Sequence, residues 1–339
     1  MIVNKRVRER LPLTLLNQPN APAELLKFLY VTKNLSASKI GNLFGVQTDT
    51  VRRWLIRLEI PRKPRVEIVI KALTKHPKVS FSGNEKEKAY LLGLRAADIS
   101  IQRHGRAYRA SVSTPHPAML RLFAACFGKY AKTRYYPKKA AAKGGRPWAA
   151  YADLDSSFGF LEKKPERIPE DIRKQPELFW QYLAGYFDGD GCLSASVTKR
   201  GETQVKWTVN SCNKQMLYEI SQMLKAEGVH LRLSLAHAAD GKKYKQDYWV
   251  IVTSDREQIL RLLARLPIQH PEKLQKRELV SRLCREGWKN AKMRIQALRN
   301  NIRNGVARCS ELSAAAEIDR KAANRQLLRL IENTSSDLK

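Results

Sequence analysis

The residues best placed for chemistry are two aspartates, each closing one of two related stretches. One stretch is Tyr182-Leu-Ala-Gly-Tyr-Phe-Asp-Gly-Asp-Gly191, and a fainter echo is Tyr90-Leu-Leu-Gly-Leu-Arg-Ala-Ala-Asp-Ile99. Each reads as a helix that ends in an acidic residue and passes at once into a strand-like run. Gly93 and Gly185, beside Leu92 and Ala184, would let two helix backbones approach closely, the need that small residues meet in other tight helix pairs. Helices packed in this way project Asp98 and Asp190 from the same end. Converging carboxylates repel unless something positive lies between them, and a hard divalent cation with oxygen ligands answers that need.

The plainer reading of Asp-Gly-Asp-Gly is a turn, because both residue types form turns. A calcium loop is a third reading, but Cys192 and Ser194 come next, and Lys199 stands where a bidentate Glu should close the loop. Two helix-plus-acid copies, each leading into an alternating strand, favour paired helices over either.

Leu183 to Gly191 closely resembles the LAGLIDADG motif of homing endonucleases, and Leu91 to Ile99 is similar to it through Leu91, Gly93, Ala97 and Asp98. The first copy departs from the pattern at Arg95, Ala96 and Ile99. The separation of 92 positions from Asp98 to Asp190 suits a single chain carrying both halves. The resemblance implies an α+β fold in which two pseudo-symmetric αββαββα halves form a DNA-binding saddle. It also implies that the acids at the eighth motif position, Asp98 and Asp190, hold Mg2+ with help from the carbonyls of Ala97 and Gly189. Asp188, at the sixth position, reads as a structural acid. A lysine at the edge of the site is carried over to Lys273, and in the first half to Lys163 or Lys164. The implied activity is a staggered double-strand cut in DNA at a specific site, made by a monomer. An RNA maturase that binds intron RNA, and a transcription regulator that keeps the scaffold without cutting, stay open as alternatives. Arg95 stands where an apolar side chain is usual, and a buried, unpaired guanidinium is costly, so a pair with Asp188 is expected.

Composition agrees with a polyanionic partner. Lys and Arg number 63 against 32 Asp and Glu, a formal charge of +31 on 339 residues. The excess is +11 over residues 1–84, +6 over 287–339 and +14 between them, so it is not one basic tail. Such charge attracts phosphate backbones, although a structural RNA-binding protein would share it. The five cysteines are scattered, without a C-x-x-C pair, which suggests neither a zinc site nor a disulfide framework and points to a reducing, intracellular compartment. No apolar run is long enough to span a membrane. The chain opens on Met and ends without a His-Asn pair, so a free-standing or intron-encoded protein is expected rather than an intein.

Taken in order, residues 1–64 read as a helix-turn-helix module after a basic, irregular start. Gly41 would allow a close crossing, Gly45 would make the turn, and Val46, Val51 and Trp54 supply the inner face of the second helix. Thr48, Asp49, Thr50, Arg52 and Arg53 are left to face a major groove. A helical hairpin with a solvated basic face is the alternative. Residues 65–84 read as a linker, 85–168 as the first half and 169–286 as the second. In each half the order helix, two strands, helix, two strands, helix is expected from the apolar periodicity. Arg109, Lys132, Arg134, Lys206 and Arg232, with Gln102 and Gln204, fall on the polar phase of the strands and are the expected DNA contacts. Residues 287–339 read as basic helices. Leu312, Ala315, Ile318, Ala323 and Leu327 there would form the inner face of a second helix-turn-helix, with Arg320, Lys321, Asn324 and Arg325 outward, or of a plain hairpin.

Overall fold

The chain divides into two units, one ending at Pro77 and the other beginning at Lys78. The computed structural model describes residues 21–33, 35–61, 77–105, 107–138, 147–242, 244–286 and 291–333. Residues 1–20, 34, 62–76 (with much of the expected linker at 65–84), 106, 139–146, 243, 287–290 and 334–339 lie outside the described residues.

The first unit holds α1 (Ala21–Lys27), which runs on into a π-helical turn (Phe28–Thr32), then α2 (Ala37–Phe44) and α3 (Thr48–Arg57). The Ser36 hydroxyl caps α2 by accepting the Lys39 amide at 3.2 Å. Gly45 ends it at φ +68°, a left-handed position that glycine takes without strain. Leu25, Leu26, Leu29, Ile40, Phe44, Val51 and Leu55 form a core of their own.

The second unit opens with α4 (Glu85–Ala96), capped by the Asn84 side chain, which accepts the Glu87 amide at 2.9 Å. Then come β1 (Ser100–His104), β2 (Ala107–Thr114), α5 (Pro117–Phe127), β3 (Arg134–Pro137) and β4 (Trp148–Leu154). A 3₁₀ turn (Ser156–Leu161) and the four-residue α6 (Glu170–Arg173) lead to α7 (Pro176–Asp190). The second half continues with β5 (Gly191–Val197), β6 (Thr203–Ser211), α8 (Lys214–Ala226), β7 (Arg232–His237), β8 (Tyr248–Thr253) and α9 (Arg256–Arg265). After it come α10 (Pro271–Glu286), α11 (Ala291–Ala315) and α12 (Arg320–Asn333).

Both sheets are antiparallel and share one topology, β1-β2-β4-β3 and β5-β6-β8-β7. This is the repeat expected from periodicity. One face of each sheet carries the apolar phase: Ile101, Ala110, Val112, Ala150 and Ala152 in the first, Leu193, Val205, Trp207, Val209 and Ile251 in the second. A single core takes in both faces and the two motif helices, and Phe187 of α7 stacks on Trp207 with ring centroids 5.0 Å apart.

Three expectations are corrected. The first half does not close on a full helix, because Pro165 and Pro169 interrupt the segment and Asp155 holds it in a local turn through the Ser157 amide. β3 starts at Arg134, so Lys132 lies exposed in the coil before it rather than on a strand. At the carboxyl end, α11 is one continuous helix of 25 residues, and the segment expected as a second helix-turn-helix is its last turn plus α12. Leu312, Ala323 and Leu327 are buried as expected, but Ile318 is 93% exposed in the turn and Ala315 is exposed too. Asn324 is half-buried, whereas Arg320, Lys321 and Arg325 face outward. This hairpin is seated on the core: the Trp148 indole donates to the Cys309 carbonyl, Ser313 to the Pro147 carbonyl, and Arg121 to that of Glu332.

Candidate metal centre and nucleic-acid interface

The two motif helices, α4 and α7, meet through their glycines. A Cβ on Gly93 would lie 1.9 Å from the Tyr182 carbonyl oxygen, and one on Gly185 would lie 2.0 Å from that of Tyr90. Backbone therefore touches backbone at both crossings, and no larger residue fits without separating the helices. One turn further on, a Cβ on Gly189 would meet the Ala97 Cβ at 2.4 Å and the Asp98 Cβ at 3.5 Å. The contact thus delivers Asp98 and Asp190 to one end of the pair.

Asp190 is half-buried and Asp98 exposed. Burial, and then the charge of Asp98, push the Asp190 carboxyl up to about 6, against the pull of Lys164 and Lys273. Neither carboxylate forms a hydrogen bond or ion pair with any described residue. Two facing acids with no direct ion-pair partner among the described residues make a hard oxygen donor set. They fit a divalent cation.

Two lysines flank the acids. Lys273, in the first turn of α10, is 8% exposed, and its ammonium donates to the carbonyls of Phe187, Asp188 and Gly189 where α7 ends. Burial lowers it to about 8. In the first half Lys164 plays this part from the surface, donating to the Ala97 carbonyl at 3.1 Å. Its neighbour Lys163 is exposed and makes no such contact among the described residues. The register of two adjacent lysines has no signal in the sequence. The carbonyls of Ala97 and Gly189 both face an ammonium, which opposes a second cation on the same oxygens, so the site's anionic donors are the carboxylates.

The expected Arg95–Asp188 pair does not form. Arg95 instead donates to the carbonyls of Leu161 and Ile99, at 3.1 and 3.0 Å. The 3₁₀ turn supplies backbone acceptors that no motif announces. Asp188 is 1% exposed, and one of its oxygens accepts from the Tyr90 hydroxyl (2.7 Å) and from the amides of Gln269 (2.7 Å) and His270 (3.1 Å). It therefore bonds across to α4 and fixes the two residues that lead into α10. α7 and α10 hold each other's ends: Asp188 takes the amides before α10, and Lys273 takes the carbonyls at the end of α7. Asp188 is thus the structural acid expected. The parts of Tyr90 and His270 carry no sequence signal of their own.

On the polar faces of the sheets the expected contacts differ in their freedom. In the first sheet Gln102 lies exposed opposite Arg109. Arg109 grips Asp153 at 2.8 and 3.2 Å, Arg134 reaches the same carboxylate at 3.2 Å, and both guanidinium groups lie over the Tyr151 ring. In the second sheet Gln204 and Lys206 are exposed opposite Ser196 and Ser194, and Arg232 is exposed opposite Val252. Lys206 and Arg232 have no ion-pair partner among the described residues. Leu235, on the apolar phase of β7, is 44% exposed on the edge strand, where the register slips next to His237. In the first unit Arg52 is exposed and paired with Asp49 at 2.7 Å, Arg53 is exposed, and Thr48 and Thr50 are half-buried.

No helix of the described residues is long and apolar enough to cross a membrane. No curated protein matches the sequence. Among solved structures the chain is similar to mesophilic variants of the homing endonuclease I-DmoI (16% identity over 55% of this chain and 91% of that one, TM-score 0.38). It is similar also to the LAGLIDADG homing endonuclease I-GzeII in complex with its DNA target (11% identity, 63% and 98%, TM-score 0.39) and to the homing endonuclease I-WcaI bound to its DNA recognition sequence (12%, 62% and 97%, TM-score 0.40). Residues 180–267, from α7 to just past α9, match the family model of the LAGLIDADG-like domain. Those residues are thus similar to a LAGLIDADG-like domain, and the first half of the pair repeats their sheet topology and motif helix.

Proposed function

We propose that the chain is a site-specific, divalent-metal-dependent DNA endonuclease that cuts both strands. The observation that carries this reading is the meeting of Asp98 and Asp190 at one end of the motif-helix pair, with no ion-pair partner for either among the described residues. The two carboxylates would hold the cations, Mg2+ being the physiological choice, and bound cations supply polarisation of the scissile phosphates and a more acidic attacking water. The chain's own residues do the rest. The glycine crossing fixes how far apart the acids stand. Lys164 and Lys273 bring positive charge beside the phosphates while holding the ends of the motif helices. The polar faces of the sheets, with Gln102, Arg109, Arg134, Gln204, Lys206 and Arg232, would lie along the duplex. Lys132, off the strand, is left as a backbone contact, since phosphate contacts position and base contacts specify.

The test is incubation with a randomised duplex library and Mg2+, read by sequencing of cut ends. Enrichment of one cut site in wild type is expected. Asp98→Asn and Asp190→Asn should each lower cutting on the order of 10³-fold or more, the scale of losing one electrostatic stabiliser of a transition state, while DNA affinity stays within a few-fold. A variant that cuts both strands at the wild-type rate would remove that aspartate from the chemistry.

A further inference from the structure

The first unit has its own core and presents one helix face that none of its described residues covers. α2 and α3 meet at a tight turn. A Cβ on Gly41 would lie 2.6 Å from the Val46 carbonyl oxygen, and the Val46 amide donates to the Gly41 carbonyl at 2.9 Å. Gly45 turns the chain in the left-handed region. α3 buries Val51 and Leu55 against α1 and α2. At 3.6 residues per turn, the opposite side of α3 is centred on Arg53, with Arg57 and Asp49 beside it and Ile56 and Arg52 along one edge. Arg52, Arg53, Ile56 and Arg57 are all exposed, Ile56 at 59%. Arg53 and Arg57 have no ion-pair partner among the described residues, and Asp49 answers Arg52 alone. A solvated charged face has no use for a large exposed isoleucine among its arginines. A groove that offers phosphates at its walls and thymine methyls on its floor uses both.

We propose that this face of α3 is a second DNA-binding surface, entering the major groove of duplex DNA, so that the chain takes a bipartite target. The two parts are joined covalently. The seventeen peptide steps from Pro61 to Lys78 limit the reach to about 60 Å at full extension, and linkage of this kind adds affinity without new contacts. The inference goes beyond the endonuclease reading and stands on separate residues.

Binding of the full chain to a 60-base-pair duplex of random sequence, measured against salt, tests it. Arg52→Ala/Arg53→Ala/Arg57→Ala together should weaken binding at least 10-fold and lower the salt slope by roughly 2, at about 0.9 for each phosphate no longer neutralised. The triple Arg→Lys variant should restore the slope, because it keeps the charge. Lys27→Ala, an exposed charge on α1, should change neither. Lys206→Ala/Arg232→Ala provides an independent reading of the second sheet. If the α3 variant binds as wild type while the sheet variant is weakened, the second surface is refuted and the endonuclease reading stands. If both bind as wild type, both fall. A Lys27→Ala loss per charge as large as that of the α3 set would make the effect one of net charge and overturn the proposal.

Discussion

The two motif ends solve one problem in different solvents. In the second half, helix α7 runs through Asp190, and Lys273, almost wholly buried, gathers its last carbonyls. Asp188 returns the favour at the start of α10. In the first half, α4 stops at Ala96, Asp98 lies exposed two residues on, and the exposed Lys164 touches one carbonyl. The difference traces to Ala96, which stands where the second copy has Asp188, and to the segment that each sheet runs into. Beyond the second sheet lies a 16-residue helix that can carry a buried lysine, whereas beyond the first lie a 3₁₀ turn and two prolines. One acid is held by the interior and the other by the surface. The glycine crossing, with the Tyr90–Asp188 bond, ties their positions together.

The largest consequence is for stability. Lys273→Met should cost about 3–5 kcal/mol, because it takes the donor from three carbonyls at the end of α7 and removes the positive charge beside the buried Asp188 carboxylate, while Lys164→Met should cost less than about 1 kcal/mol. Urea unfolding of both variants measures this. Equal losses would erase the asymmetry between the two ends.

The glycines should behave alike, in contrast to the lysines. Gly93→Ala and Gly185→Ala each place a methyl group within 2.0 Å of a backbone oxygen, so each should cost about 3 kcal/mol or more. A mild effect at one of them, seen in the same unfolding curves, would mean that the helices can part there without loss.

Smaller, and opposite in sign, is the effect of Asp190→Asn in EDTA. The folded carboxyl of Asp190 sits near 6, above its unfolded value near 3.9, so folding favours the protonated form. The resulting penalty is absent below the unfolded value, grows as pH rises and is complete above about 6. Asp190→Asn should therefore stabilise the chain by about 2 kcal/mol at pH 7.5 and by almost nothing at pH 4. Thermal melts at the two pH values decide it, and equal shifts at both would show that Asp190 carries no strain.

Much of the fold and of the site is legible in the sequence because it rests on spacing. Alternation of apolar residues gives both sheets, and two glycines with two aspartates give the helix pair and its acidic end. Asp188 is readable as structural from its place at the sixth motif position, since the resemblance puts the metal-binding acid at the eighth. The failures have a common cause. Arg95 finds backbone acceptors on a turn that no periodicity announces, and Lys164 rather than Lys163 reaches the motif end because loop register has no repeat to fix it. Ile318 is expected inside only if helical spacing is carried across a point where α11 and α12 are separated by a turn. Backbone acceptors and loop register are properties of the packed chain.

The central claim is that Asp98 and Asp190 face each other closely enough to need a shared cation. Carboxyl 13C NMR of Asp190, followed against pH in metal-free buffer in wild type and in Asp98→Asn, tests it most directly. The expected result is a midpoint near 6 in wild type, a clearly lower one in Asp98→Asn as the neighbouring charge is removed, and a further fall in wild type on adding a divalent cation. The same midpoint in both proteins would contradict it.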